Sequence, residues 1–326
     1  MKKWIFILSG LLAIQLILTA AVTLTGEDYE AFQAEEKVLS FDEKEVDSLR
    51  IEDGTDSVLL KKQEGKWLLP ESGNFPANQS SVEQLLGKLA TLKKGWPVAK
   101  TRSALRRFKV DEEQFERKLV LLSGDEAQAT LYVGTSPGFR KVHIRPANGD
   151  EVYAVMFNTW DAAAKADEWI DKDVLTLEES DLDRVEIPGV VLHWKDGKPK
   201  VADLGEKEQT NEKESRSLLG KLTKLRIQSV LGTEIKPEYR QDEPALEVKI
   251  TRKGGEVLNY RFSKSEDASY YILKRSDLDH YFKVAEYTLN PIKETTREKL
   301  VQATSEETSS EPTGDKGVEK KSSARP

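Results

Sequence analysis

Apolar and polar residues alternate with period two along much of the chain and switch to helical spacing in a few places, so strands dominate the expected structure. Residues 48–52, 57–62 and 66–69 read as short strands, with Glu64-Gly65 turning the chain between the last two. Pro70, Gly73 and Pro76 mark a loop. Ser80 and Glu83 have the spacing of a capping box, in which each side chain covers an orphan amide of the first helical turn. The helix behind it buries Val82, Leu85, Leu86, Leu89 and Leu92 on one stripe, and Gly95 stops it. Residues 96–100 are extended. A meander follows over 119–122, 127–133, 141–145 and 151–156, its turns set by Ser123-Gly124-Asp125 and by Asn148-Gly149, a strong hairpin signal. In the third of these strands Val142 and Ile144 face inward, which puts Lys141, His143 and Arg145 on the outer face. Asn158 predicts the cap of a helix running to about Lys172 and carrying Trp160 and Trp169.

Much of this order then recurs. Leu85-Leu86-Gly87-Lys88-Leu89-Ala90-Thr91-Leu92 returns as Leu218-Leu219-Gly220-Lys221-Leu222-Thr223-Lys224-Leu225, and the lead-in Asp47-Ser48-Leu49-Arg50-Ile51 is similar to Asp183-Arg184-Val185-Glu186-Ile187. In the second copy residues 211–225 read as the helix. Strands are expected at 245–251, 257–262, 270–273 and 281–284, and Pro291 opens a last helix to about Val301. The expected fold is α+β: two repeated modules over 46–180 and 181–301, each an antiparallel sheet with a helix packed on one face.

The two ends depart from this pattern. Lys2 and Lys3 precede an uncharged stretch from Trp4 to Leu24, long enough as a helix to cover the roughly 30 Å hydrocarbon core of a bilayer. Glu27, Asp28 and Glu30 follow it. Positive charge stays on the cytoplasmic side, so 1–25 is expected to be an uncleaved transmembrane signal anchor with the bulk of the chain exported. A cleaved signal peptide is the competing reading, but Thr19-Ala20-Ala21 is a poor cleavage site because the apolar run continues through Val22 and Leu24. Residues 26–45 are a polar, acidic spacer, and 302–326, rich in Ser, Thr, Glu, Lys, Gly and Pro, are expected to be a disordered tail.

Composition narrows the chemistry. The 326 residues include 38% hydrophobic and 33% charged ones, with a net charge of -7 spread without a basic block, so no nucleic-acid partner is expected. The absence of cysteine excludes disulfides, thiolate metal sites and thiol nucleophiles. His143, His193 and His280 show no metal-binding spacing, and Ser123-Gly124 and Ser136-Pro137-Gly138 read as turns, not as a nucleophile elbow. No phosphate-binding Gly-rich loop with Lys-Ser/Thr is present. Asp167 and Asp171 could share a helix face beside Glu168, but a solvated acidic face is the plainer reading of that group. Trp67, Trp96, Trp160, Trp169 and Trp194 are weighed as a sugar-stacking surface and favoured as packing residues. No catalytic, cofactor-binding or metal-binding residue is assigned.

Several short motifs in order resemble the domain of unknown function 4340 family: Gly65-Lys66-Trp67, Pro76-Ala77-Asn78, the helix over 82–92, Tyr132-Val133-Gly134, Val152-Tyr153 and Trp169-Ile170-Asp171-Lys172. The resemblance covers roughly 47–180 and weakens through the second copy, which lacks the Pro-Ala and Val-Gly signatures. Asn78 stands where that family more often has aspartate, and a Gly-Leu pair often seen before the meander is replaced around Phe108-Lys109-Val110. The resemblance implies an exported, usually membrane-anchored protein, often associated with ABC transporters of the gliding-motility type, and supplies no catalytic residue. The expectation is therefore a non-enzymatic, single-pass protein of the inner (cytoplasmic) membrane, N-terminus inside and C-terminal bulk periplasmic, serving a membrane complex with inner-membrane partners such as transporter subunits. The alternative is a periplasmic module binding glycan or lipid in the cleft between the copies.

Overall fold

A computed structural model describes residues 10, 12–15, 36–264 and 268–304. These form two compact units. The first holds the described residues up to Val174 together with Arg226–Lys236 and Asp279–Val284; the second holds Leu175–Leu225, Pro237–Leu278 and the described residues from Ala285 on. The units are interleaved along the chain, where the sequence suggested a single division at residue 180.

The first unit is built on nine strands: β1 (Ser48–Glu52), β2 (Ser57–Gln63), β3 (Lys66–Leu69), β4 (Phe75–Pro76), β5 (Pro97–Ala99), β6 (Arg117–Ser123), β7 (Glu126–Val133), β8 (Lys141–Pro146) and β9 (Val152–Met156). They run in the order β4-β3-β2-β1-β6-β7-β8-β9-β5. Cross-strand register puts Leu49 opposite Leu60 and Leu121, Ile51 opposite Val58 and Leu119, and Val133 opposite Ile144, so one face is a continuous buried apolar surface. Helix α1 (Gln79–Thr91) follows the four-strand lead-in and buries Val82, Leu85, Leu86 and Leu89 at i, i+3, i+4 and i+7. Each of these is worth about 1.5–3 kcal/mol when fully withdrawn from water.

Its cap differs from the one expected. The helix starts at Gln79, and Asn78 is the N-cap, its Oδ1 accepting from the Ser81 N–H at 3.0 Å and from the Ser80 hydroxyl at 2.8 Å. Asn and Ser cap about equally well, and Asn78, two residues earlier, takes the role first. The chain also joins the unit ahead of residue 46: the Val38 N–H donates to the Leu92 carbonyl at 2.9 Å, and Val38 and Leu39 are buried.

The opposite face of β7 to β9 is covered as well, by helix α2 (Arg102–Arg107) and the segment after it. Leu105, Val110, Tyr132 and Val152 form a small second core there, with Ala99, Phe108 and Phe115 against it. This overturns the outward placement of His143 and Arg145, both of which are buried. Strand alternation gives the face correctly but does not show that a second layer lies on it.

In the second unit, β10 (Leu182–Ile187), β11 (Val190–Lys195), β12 (Lys198–Val201), β15 (Leu246–Arg252), β16 (Val257–Ser263) and β17 (Tyr270–Arg275) are ordered β12-β11-β10-β15-β16-β17. This matches β3-β2-β1-β6-β7-β8 strand for strand. Helix α3 (Glu212–Thr223), capped by Asn211, stands where α1 stands in the order and buries Leu218, Leu219 and Leu222. The pair β9-β5 likewise has its counterpart in β18 (Tyr281–Ala285) and β14 (Ser229–Val230). The two sheets therefore carry an internal repeat, and the architecture is α+β and mainly antiparallel.

Three further expectations change. Asn158 caps a 3-10 turn (Thr159–Ala162) and a second turn follows (Ala166–Glu168), in place of one helix to Lys172. Pro291 lies inside helix α4 (Glu286–Lys293), and α5 (Arg297–Leu300) is separate. Gln302 and Ala303 belong to β19 (Val301–Ala303), which pairs with β13 (Glu208–Thr210) through backbone bonds that need no apolar side chains. The tail from 305 on lies outside the described residues. So does the segment from Trp4 to Leu24, save residues 10 and 12–15; among the described residues no helix is long and apolar enough to cross a membrane.

Candidate functional site

Three of the short motifs meet at one place, and what they do there is structural. The Gln79 side chain accepts from the Trp67 N–H at 2.8 Å and donates to the carbonyls of Trp67 and Ala77 at 2.9 and 2.8 Å. The Ala77 N–H donates to the Trp67 carbonyl, the Asn78 N–H to that of Trp169, and the Asp171 N–H to that of Pro76. Gly65-Lys66-Trp67, Pro76-Ala77-Asn78 and Trp169-Ile170-Asp171 are thus a brace that fixes the start of α1. Gly134 belongs to a second brace: a Cβ built there would lie 1.9 Å from the Phe108 carbonyl oxygen, so only glycine lets the strand pass that backbone.

Each histidine has its own surroundings. His143 is buried against Phe108, with ring centres 4.1 Å apart, and its Nδ1 lies 2.9 Å from the Thr135 hydroxyl. Burial lowers its pKa, a bond with the Thr135 backbone opposes that, and the nearby Arg107 charge adds to the lowering. His280 places Nε2 3.1 Å from the carbonyls of Ser72 and Gly73 and packs edge-on to Phe75. His193 sits half-buried on β11, opposite Arg184 and Lys200.

Trp67 and Trp169 are core residues, Trp169 donating from Nε1 to the Ala163 carbonyl at 2.8 Å. Trp194 lies under the Arg216 guanidinium. Trp96 and Trp160 are exposed, so the tryptophans divide between packing and surface. Asp167 and Glu168 lie in a 3-10 turn, and Asp171 accepts from the Asp173 N–H. Among the described residues no group of three or more His, Asp or Glu is gathered as a metal cage would need.

A wide concavity lies over the second core of the first unit. It has a volume of about 690 Å³. Arg102 and Arg106, one helical turn apart on α2, line it together with Asp111, Glu112, Glu113 and Asp150. Arg145 reaches it from β8 and is only 4% exposed. Its Nε donates to the Val110 carbonyl at 2.8 Å and its Nη1 to that of Gly149 at 3.1 Å, while the guanidinium carbon lies 4.5 Å from the centre of the Tyr132 ring. Sequence reading missed this site because it took Arg145 as solvated. The available signal was Thr101, a helix cap, followed by Ala104 and Leu105, which mark a short helix with an apolar side.

A smaller cavity of about 180 Å³ lies beside α1, with the Trp160 ring at its edge and Gln84, Lys88, Asp161 and Glu168 in its lining. Lys88 and Asp161 are ion-paired at 2.9 Å.

Fold and site together define a class: a two-module antiparallel α+β protein with a charged pocket in its first unit. The family model described as Domain of unknown function (DUF4340) matches residues 67–244, more than half of the chain, and the chain belongs to that family. The match begins later than the motif resemblance, at residue 67, and reaches residue 244 in the second copy. No curated protein and no solved structure matches the chain.

Proposed function

We propose that this chain is a membrane-anchored envelope protein that works without catalysis, as an accessory or scaffold of a membrane complex of the ABC-transporter type. The observation that carries the reading is the uncharged run from Trp4 to Leu24 between Lys2-Lys3 and the acidic Glu27, Asp28 and Glu30. A helix of that length matches the hydrocarbon thickness, and the charge asymmetry orients the rest of the chain outward. The association implied by the family resemblance makes transporter subunits the first partners to seek. Exposed apolar side chains on the first unit, Phe139, Met156 and Trp160, offer contact points for such partners. Affinity capture of the full chain from membranes in mild detergent is expected to recover inner-membrane proteins repeatedly; recovery of none across replicate preparations would count against the scaffold role.

A second reading, glycan binding, is favoured by one observation. Trp160 is 82% exposed beside Gln84, Lys88, Asp161 and Glu168, a flat ring flanked by hydrogen-bonding groups. Under this reading Trp160→Ala abolishes retention on an oligosaccharide column; retention equal to that of the parent protein excludes Trp160 as the contact.

A further inference from the structure

The Arg145 cavity raises an electrostatic question that the scaffold role leaves unanswered. A guanidinium withdrawn from water loses much of its hydration, and two carbonyl bonds and a tyrosine face replace only part of it. The molecule contains its own standard for comparison. Arg275, in the second unit, is buried to the same degree at 5% exposed, and it too lies over a cross-strand tyrosine, Tyr260. Arg275 is held by a carboxylate: Nε and Nη2 donate to the two oxygens of Asp277 at 2.6 and 3.0 Å. Arg145 has no such partner among the described residues. The residue two positions on, where Arg275 finds Asp277, is Ala147.

The surroundings of Arg145 sharpen the contrast. Arg102 and Arg106 form no ion pair among the described residues, although four carboxylates line the same cavity, and as like charges one helical turn apart they repel. Three guanidinium groups at one cavity without a bound carboxylate make a receptor for a planar or tetrahedral oxyanion, which arginine grips through paired N–H donors. The carboxylates of Asp111, Glu112, Glu113 and Asp150 in the same lining disfavour a simple anion and favour a ligand that carries a cation next to its oxyanion. A volume of about 690 Å³ suits a small molecule or the end of a chain and is far more than an ion needs.

We propose that this cavity is a binding site for a zwitterion, with the ligand's oxyanion on Arg145, Arg102 and Arg106 and its ammonium among the carboxylates of the same lining. The shared chemistry, an ammonium within a few bonds of a carboxylate or phosphate, occurs in amino acids and short peptides and also in phosphoethanolamine headgroups. The site is confined to the first unit and does not depend on the scaffold role.

Isothermal titration of the full-length protein tests it with five probes: glycine, alanyl-alanine, phosphoethanolamine, acetate and methylammonium. At least one zwitterion is expected to bind at millimolar concentration or tighter, and acetate and methylammonium each at least about tenfold more weakly, since one charge-assisted contact is worth about that factor. Glycine or alanyl-alanine binding in preference to phosphoethanolamine assigns a carboxylate ligand; the reverse assigns a phosphate headgroup. Arg145→Gln is expected to abolish binding, but it also disturbs the second core. The exposed pair Arg102→Gln with Arg106→Gln therefore serves as the second variant, with an expected loss of about tenfold or more and an unchanged melting temperature without ligand. Failure of all three zwitterions to bind overturns the proposal. So does zwitterion binding that this double variant leaves at parental strength, or acetate binding as tightly as glycine.

Discussion

At the scale of single residues the molecule shows what its tightest points require. Gly134 lets β7 leave the sheet against the backbone of Phe108 and Lys109, and its N–H donates to the His143 carbonyl at 2.8 Å. Gly134→Ala places a methyl group into a carbonyl oxygen, neither of which is the movable end of a side chain. Denaturant unfolding is expected to show a loss of about 1–3 kcal/mol or more; a loss below about 0.5 kcal/mol, typical of neutral surface changes, would contradict the close approach.

Glu208 makes a different kind of residue-scale prediction. Two Arg297 bonds and the Gly205 N–H hold its carboxyl down at about 2, against an ordinary 4.5. A carboxyl lowered on folding contributes stability that is complete above its unfolded pKa and is lost as pH falls toward the folded one. The Glu208–Arg297 pair should therefore weaken between about pH 4.5 and pH 2. Glu208→Gln is expected to flatten the fall of melting temperature across that window and to leave the slope above it unchanged. Equal slopes in the two proteins below pH 4.5 would remove Glu208 as a cause.

At the scale of elements, the brace at the start of α1 explains why short motifs far apart in sequence belong together. Trp67, Ala77, Asn78, Gln79 and Trp169 exchange backbone and amide bonds there, so the cap holds the helix in place as well as ending it. Asn78→Ala is expected to cost about 1 kcal/mol from the lost cap bond to Ser81. Asn78→Asp, which keeps the acceptor and suits the helix N-terminus, should hold stability within a few tenths of that of the parent in thermal unfolding. Equal losses for both variants would show that the amide group, and not the cap oxygen, matters.

The same elements show what was readable in advance. β1 and β3 carry the bounds that alternation predicts, and most of the other meander strands lie within two residues of them, because one face of each is buried and the period of two is enforced. The segment 158–172 has helical composition and a genuine Asn158 cap, yet three of its carbonyls are taken by groups other than helical backbone N–H. Ala162 accepts from Arg117 Nε, Ala163 from Trp169 Nε1 and Trp169 from the Asn78 N–H. Those bonds compete with a continuous helix and win. Helix α2 is six residues long, too short for periodicity to declare itself, and without it neither the second layer nor the burial of Arg145 could be foreseen. The pocket was therefore the least legible feature, since it depends on which segment covers a face and not on the face itself.

At the scale of the whole molecule, duplication accounts for the architecture. The octet at 85–92 and its copy at 218–225 mark equivalent helices, and the strand orders around them match. The repeats have diverged at their polar positions: the first unit has a charged cavity at Arg145, and the second closes its buried arginine with Asp277. Each module keeps a common sheet while the polar positions change, which suits a protein that presents surfaces to different partners.

The proposed scaffold role requires both modules outside the cytoplasm, and that requirement rests on the segment from Trp4 to Leu24. Alkaline carbonate extraction of cells expressing the full chain, alongside a version lacking residues 1–25, tests this most directly. The full chain is expected to stay in the membrane pellet and the shortened one to be released into the supernatant. A full-length chain recovered with freely soluble proteins of the cytosol would contradict the account.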